Sequence, residues 1–146
     1  MGRYAIIATA LAAILGLGVW WNGQGQNSMA TAPDSGESSG AAIVQVTLPD
    51  TLSDNARIGK AVFEAKCAVC HGINAVGQDG VAPPLVHKIY EPSHHGNASF
   101  LRAAKNGVRS HHWRFGNMPP VEGVTDGDVK MIVMYIRELQ RANGIN

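Results

Sequence analysis

Cysteine, aromatic residues and charge are all scarce in this chain of 146 residues. Its two cysteines are too few for a disulfide-rich mini-fold or a four-thiolate zinc site. Aromatics make up 6% of the sequence, and 17 glycines dilute the rest, so a large aliphatic and aromatic core is not available. Something other than side chains has room to fill the middle. Charged residues reach 16%, below the usual quarter or so. Twelve Lys and Arg stand against eleven Asp and Glu, which excludes a chain-wide polybasic nucleic-acid binder. No internal repeat is present, and the length suits one domain with a remainder.

The apolar excess is concentrated at the front. Tyr4–Trp21 carries no charge, and the next charged residue after Arg3 is Asp34. As a helix this run is roughly 27 Å long, close to the roughly 30 Å of a hydrocarbon core. Trp20 and Trp21 fall where an interfacial aromatic belt sits, and Arg3 favours a cytoplasmic N-terminus. Residues 1–21 therefore read as a single-pass anchor in the cytoplasmic membrane. The alternative is a signal peptide cleaved near Ser28 and Ala30, which leaves a soluble periplasmic protein. On either reading the remainder is exported. Residues 22–42 are rich in Gly, Gln, Asn, Ser, Ala and Thr and read as a flexible tether. A short extended lead-in through Val44, Val46 and Leu48 follows, so that 22–52 precedes a domain over 53–146.

That domain reads as all-α, with three to four helices and long loops. Ser53 or Asp54 can cap a helix through Ala56, Ile58, Ala61, Val62 and Ala65 to about Lys66. Glycines and prolines make 72–92 irregular. Asn97 or Ser99 can start a short helix through Phe100, Leu101, Ala103 and Ala104, stopped by Gly107. After a loop over 116–123, Thr125 and Asp128 have capping-box spacing. Val129, Ile132, Val133, Ile136 and Leu139 then recur at helical spacing to near Asn143.

The chemistry lies at Cys67-Ala68-Val69-Cys70-His71. Two thiols three positions apart at a helix end lie on one edge of a planar ligand, and the next imidazole can turn toward its centre. Covalent attachment of a c-type haem needs this arrangement: two thioethers from Cys67 and Cys70, and an iron ligand from His71. A thioredoxin-type pair would want a βαβ setting, and zinc would need further ligands. A structural disulfide here closes too short a loop to stabilise much. Haem c, with its iron, is the expected cofactor. For the second axial position, Met118 alone among the methionines sits in a loop after the motif, with Pro119 and Pro120 restricting it. Met131 and Met134 fall inside the last helix, where packing explains them.

The segment from Ser53 to Asn143 resembles a class I monohaem cytochrome c. Gly59-x-x-x-Phe63-x-x-Lys66-Cys67-x-x-Cys70-His71 is similar to that family's first helix and attachment site. Pro83-Pro84-Leu85 is similar to its proline–x–leucine turn, which implies that the Pro83 carbonyl supports the His71 ring. Ala82 stands where the family usually has Gly. The leading anchor and tether resemble those of membrane-attached bacterial cytochromes c. Gly59 permits close approach of the last helix, with Phe63 and Tyr135 near the crossing. Trp113 either donates to a haem propionate or packs at the haem edge.

Six histidines include the pairs His94-His95 and His111-His112. No pair has the i, i+4 spacing of helical metal ligands, so they read as surface-loop residues. His111 or His112 also rivals Met118 as sixth ligand. Arg102, Lys105, Arg109 and Arg114 form either a rim that steers an acidic partner or a solvated face. The expected function is a non-enzymatic single-electron carrier in the membrane. Its expected donor is a quinol:cytochrome c oxidoreductase, and its acceptor a terminal oxidase or photosynthetic reaction centre. A peroxidase-type haem enzyme or a haem-based ligand sensor, each with an open sixth position, is the alternative.

Overall fold

The computed structural model describes residues 40–146. The anchor over 1–21, the cleavage alternative at Ser28 and Ala30, and most of the tether lie outside the described residues. Among the described residues no helix is long and apolar enough to cross a membrane.

Four helical segments follow in order: α1 (Asp54–Lys66), the single turn α2 (Ala68–His71), α3 (Asn97–Asn106) and α4 (Asp126–Ala142). Two 3-10 turns, Ile73–Ala75 and Lys88–Tyr90, interrupt the loop between α2 and α3. The described residues contain no strand, only two isolated bridges, so the all-α expectation holds.

Local chemistry sets the helix ends. Ser53 caps α1, its hydroxyl accepting from the Ala56 N–H at 3.2 Å. The same residue is gripped by Glu138 of α4, whose carboxylate accepts from the Ser53 N–H at 3.1 Å and from its hydroxyl at 2.6 Å. The capping box of α4 is complete. Thr125 Oγ1 accepts from the Asp128 N–H at 3.1 Å, and Asp128 accepts from the Thr125 N–H at 2.8 Å. α3 starts at Asn97 and stops before Gly107, as expected, but its N-cap residue is Gly96, with no side-chain cap. Asn97 and Ser99 are engaged elsewhere, accepting from Arg137 Nε at 3.0 Å and from Arg102 at 3.2 Å.

The core lies where α1 crosses α4. A Cβ on Gly59 would sit 1.9 Å from the Met131 carbonyl oxygen, so only glycine lets the two backbones touch. Beside this contact the Phe63 and Tyr135 rings meet at 5.7 Å between centroids. The buried face of α1 is Ala56, Gly59 and Phe63. Ile58 is 54% exposed, and Ala61 and Ala65 also face solvent, contrary to the stripe expected for this helix. Alanines carry too little hydrophobic signal to fix which face turns inward. In α4 Val129, Ile132, Val133, Ile136 and Leu139 are all buried, as expected, together with Tyr135, Arg137 and Gln140. Met134, expected to pack, is instead 43% exposed.

The lead-in runs along this body without forming a strand. The Ile43 and Val44 N–H groups both donate to the Val76 carbonyl at 3.2 Å. Asn143 holds Thr47 from both sides, accepting from its N–H at 2.9 Å and donating to its carbonyl at 2.8 Å. Residues 40–42, expected as the end of the tether, are already held, because Gly40 N–H donates to Asp79 O at 2.7 Å and Asp79 N–H to Ala41 O at 2.8 Å.

Candidate functional site

Cys67 ends α1, its N–H donating to the Phe63 carbonyl at 2.8 Å. The chain then turns at once: the Cys70 and His71 N–H groups both donate to the Cys67 carbonyl, at 3.1 and 2.9 Å. This one turn places Cys67, Cys70 and His71 on the wall of a single cavity of about 600 Å³, within the usual range for cofactor sites. Both cysteines are free thiols. Burial, and then the neighbouring Cys70, pushes the Cys67 thiol up to about 11, so it is held as the neutral thiol.

His71 is 9% exposed, and its Nδ1 donates to the Pro83 carbonyl at 2.8 Å. Burial lowers its pKa, against the opposing pull of that carbonyl. The ring is therefore neutral, and the bond at Nδ1 leaves Nε2 with its lone pair free to bind a metal. Several contacts bring Pro83 to this place. The Gly77 N–H donates to the His71 carbonyl at 2.7 Å, and a Cβ on Gly77 would lie 2.5 Å from the Pro84 nitrogen. Gln78 and Ala82 exchange backbone hydrogen bonds, so the turn closes with alanine at 82. Gln78 Nε2 also donates to the carbonyls of Val69 at 2.9 Å and Ala68 at 3.2 Å, tying the loop to the cysteine turn. Sequence reasoning missed Gln78, since a lone glutamine in a loop carries no pattern.

Met118 lines the same cavity. Its backbone is fixed from both sides, with Val108 N–H donating to Met118 O at 2.9 Å and Met118 N–H to Val108 O at 3.0 Å. Gly107, at φ +74°, makes this pairing possible, because a Cβ there would lie 2.5 Å from the Met118 carbonyl oxygen. Residues 108–118 thus form a closed excursion, with Trp113 near its tip. The indole Nε1 of Trp113 is buried and has no hydrogen-bond partner among the described residues. Nearby, burial pushes the Tyr90 hydroxyl up to about 12. The Trp113 N–H lies close enough to oppose that rise, yet completes no hydrogen bond of ordinary geometry with it. A buried, unpaired N–H on the cavity wall fits an occupant that brings an acceptor oxygen, as a haem propionate does.

Two buried polar residues of α4, missed by the sequence analysis, hold the Tyr90 side of the cavity. Arg137, 6% exposed, donates to the Tyr90 carbonyl at 2.6 Å and to the His95 carbonyl. Gln140, fully buried, donates to the carbonyls of Leu85 at 2.8 Å and Tyr90 at 3.1 Å. Both sit in a helical pattern whose polar residues read as solvent-facing. The histidine pairs lie in loops, with His94, His111 and His112 exposed, and they converge: His94, His95, His111 and His112 have neighbouring rings with centroids 4.2–6.1 Å apart. Arg102, Lys105, Arg109 and Arg114 are all exposed. Arg102 and Arg109 reach the cavity wall.

The family model for cytochrome c matches residues 56–140. The chain belongs to the cytochrome c family. No curated protein matches it. Membership implies one covalently bound haem c with its iron, and Cys67 and Cys70 fit the attachment motif. The cavity of this cytochrome suits that group on its own chemistry: two thiols and a neutral imidazole on one wall, and an unpaired indole N–H on another.

Proposed function

We propose that this cytochrome carries single electrons between membrane redox complexes, with His71 and Met118 as the axial ligands of its iron. The family supports haem binding and electron carriage in general. The observation that carries the finer reading is Met118, held by paired backbone hydrogen bonds to Val108 on the wall of the cavity that also contains His71. When bound, the haem supplies a one-electron ferric/ferrous couple, and a His/Met pair favours the reduced form over a bis-imidazole pair. The polypeptide supplies the rest. Pro83 orients the His71 ring, Gly107 sets the Met118 backbone, and Trp113 with Tyr90 would meet the propionate oxygens of a bound haem. His71 and Met118 would hold the iron from the chain itself, so that no substrate would have to bind.

The donor in this reading is a quinol:cytochrome c oxidoreductase, and the acceptor is a terminal oxidase or a photosynthetic reaction centre. The exposed cluster Arg102, Lys105, Arg109 and Arg114 supports an acidic docking face on those partners. The uncharged run Tyr4–Trp21 supports an anchor that keeps the domain at the periplasmic face of the membrane, or a signal that delivers it there.

Carbon monoxide tests the ligation. The ferrous wild-type protein is expected not to bind it, whereas Met118→Ala opens the iron to carbon monoxide and lowers the reduction potential. His111→Ala and His112→Ala should leave the iron closed. Ready binding by the wild type replaces the carrier with a peroxidase-type enzyme or ligand sensor. Opening by a histidine variant instead of Met118→Ala replaces the methionine with an imidazole.

A further inference from the structure

Four of the six histidines meet at one place, and the haem reading leaves them without a role. His94 and His95 lie in the turn between Tyr90 and α3, while His111 and His112 lie in the 108–118 excursion. Two loops with no regular secondary structure in common therefore deliver imidazoles to the same spot. Arg137 holds one of them by the His95 carbonyl. The other is braced where the Ser110 hydroxyl donates to the Trp113 carbonyl and the Ser110 N–H to Asn117 Oδ1 at 2.9 Å.

We infer that His94, His95 and His112 form a binding site for a divalent transition-metal ion of the zinc type. One ring nitrogen from each residue lies within 4.8 Å of those of the other two. His94 Nε2 and His112 Nε2 are 3.3 Å apart. Two imidazoles on a tetrahedral ion with bonds of about 2.0–2.1 Å have their nitrogens about 3.3–3.4 Å apart, so this pair already stands at ligand spacing. His95 Nδ1 donates to the Ile89 carbonyl at 2.6 Å. That bond fixes the ring and its tautomer and leaves Nε2 as the electron-pair donor, as metal-bound histidines generally require.

The donor set selects the ion. Three imidazoles and no carboxylate suit zinc or copper, and calcium or magnesium would demand oxygen ligands. Three protein ligands leave a fourth tetrahedral position for water, with the His111 ring packed 4.2 Å from that of His112. His94 and His112 are exposed, so an ion reaches the site from solvent. His95 and His112 also line the haem cavity, so a bound dication stabilises the reduced haem electrostatically and raises its potential.

The test uses the full-length, haem-loaded protein, in which His71 is already committed to iron. Calorimetric titration with zinc chloride is expected to show one saturable Zn²⁺ per chain. His94→Gln and His112→Gln should each weaken it about tenfold or more, and His87→Gln, outside the cluster, should leave it unchanged. An unaltered visible spectrum in each variant shows that the haem domain is intact. The reduction potential should rise on zinc addition in the wild type and stay fixed in the His94→Gln/His112→Gln double variant. Absence of saturable one-to-one binding in the wild type overturns the site. So does unchanged zinc affinity in the double variant.

Discussion

The crossing of α1 and α4 and the loop wall over 85–121 are built on opposite principles. At the crossing the buried groups are apolar and touch directly: Phe63, Tyr135, Ile136 and Leu139 are all fully buried, and a glycine lets the backbones meet. In the loop wall the buried groups that fix the structure are polar. Arg137 and Gln140 reach across to backbone carbonyls, and Trp113, which lines the cavity, keeps a buried, unpaired N–H. The first region is finished by its own sequence. The second is arranged around space that the family's cofactor occupies, so hydrogen bonds take over the positioning that side-chain packing supplies elsewhere.

The largest expected effect breaks the first region. Gly59→Ala gains up to about 1 kcal/mol of helix propensity, but it places a methyl group into the Met131 carbonyl. Overpacking against a backbone that cannot step aside wins, and the net loss is expected to be about 3 kcal/mol. Urea unfolding of the haem-loaded protein measures it. A variant as stable as the wild type would show that the helices do not need this contact.

Arg137→Met attacks the second region. It relieves a buried cation, yet it leaves the His95 carbonyl and part of the Tyr90 and Gln140 network without a donor. At roughly 1–3 kcal/mol for each orphaned acceptor, less the desolvation recovered, the loss is about 2 kcal/mol. The same unfolding measurement applies, and the Trp113 fluorescence environment should change with it. An unchanged midpoint would mean that the wall is held by packing after all, and the contrast between the regions would collapse.

The smallest effect concerns the start of α4, which serves both regions. Hydrogen bonds from the Thr125 N–H and hydroxyl hold the Asp128 carboxyl below its usual 3.8. A group depressed in the folded state stabilises it above the unfolded pKa and loses that contribution as pH falls through the folded value. Asp128→Asn should therefore flatten the acid limb of stability, read as a smaller difference in unfolding midpoint between about pH 6 and about pH 3. An equally steep limb in the variant would remove the charged cap from the account.

The cysteine turn, the capping box at Thr125 and Asp128, and the apolar period of α4 were legible because each depends on residues close together in the chain. Gly59 was legible too, since a glycine inside a helix needs a reason. The inward face of α1 was not, because alanines fit either side of a helix. The start of α3 at Asn97 was legible, but not the use of its side chain, which accepts from Arg137 instead of capping the helix.

By itself, then, the sequence determined the helices, the thiol pair with its imidazole, and the candidate methionine, all through spacings within one turn or one loop. Only the tertiary structure decided that Val108 fixes Met118, that Arg137 is buried, and that four histidines from two loops share one spot. Each of these joins residues separated by chain that has no regular period. Their distance in space is set by how the loops close over α4, and no local pattern in the sequence encodes it.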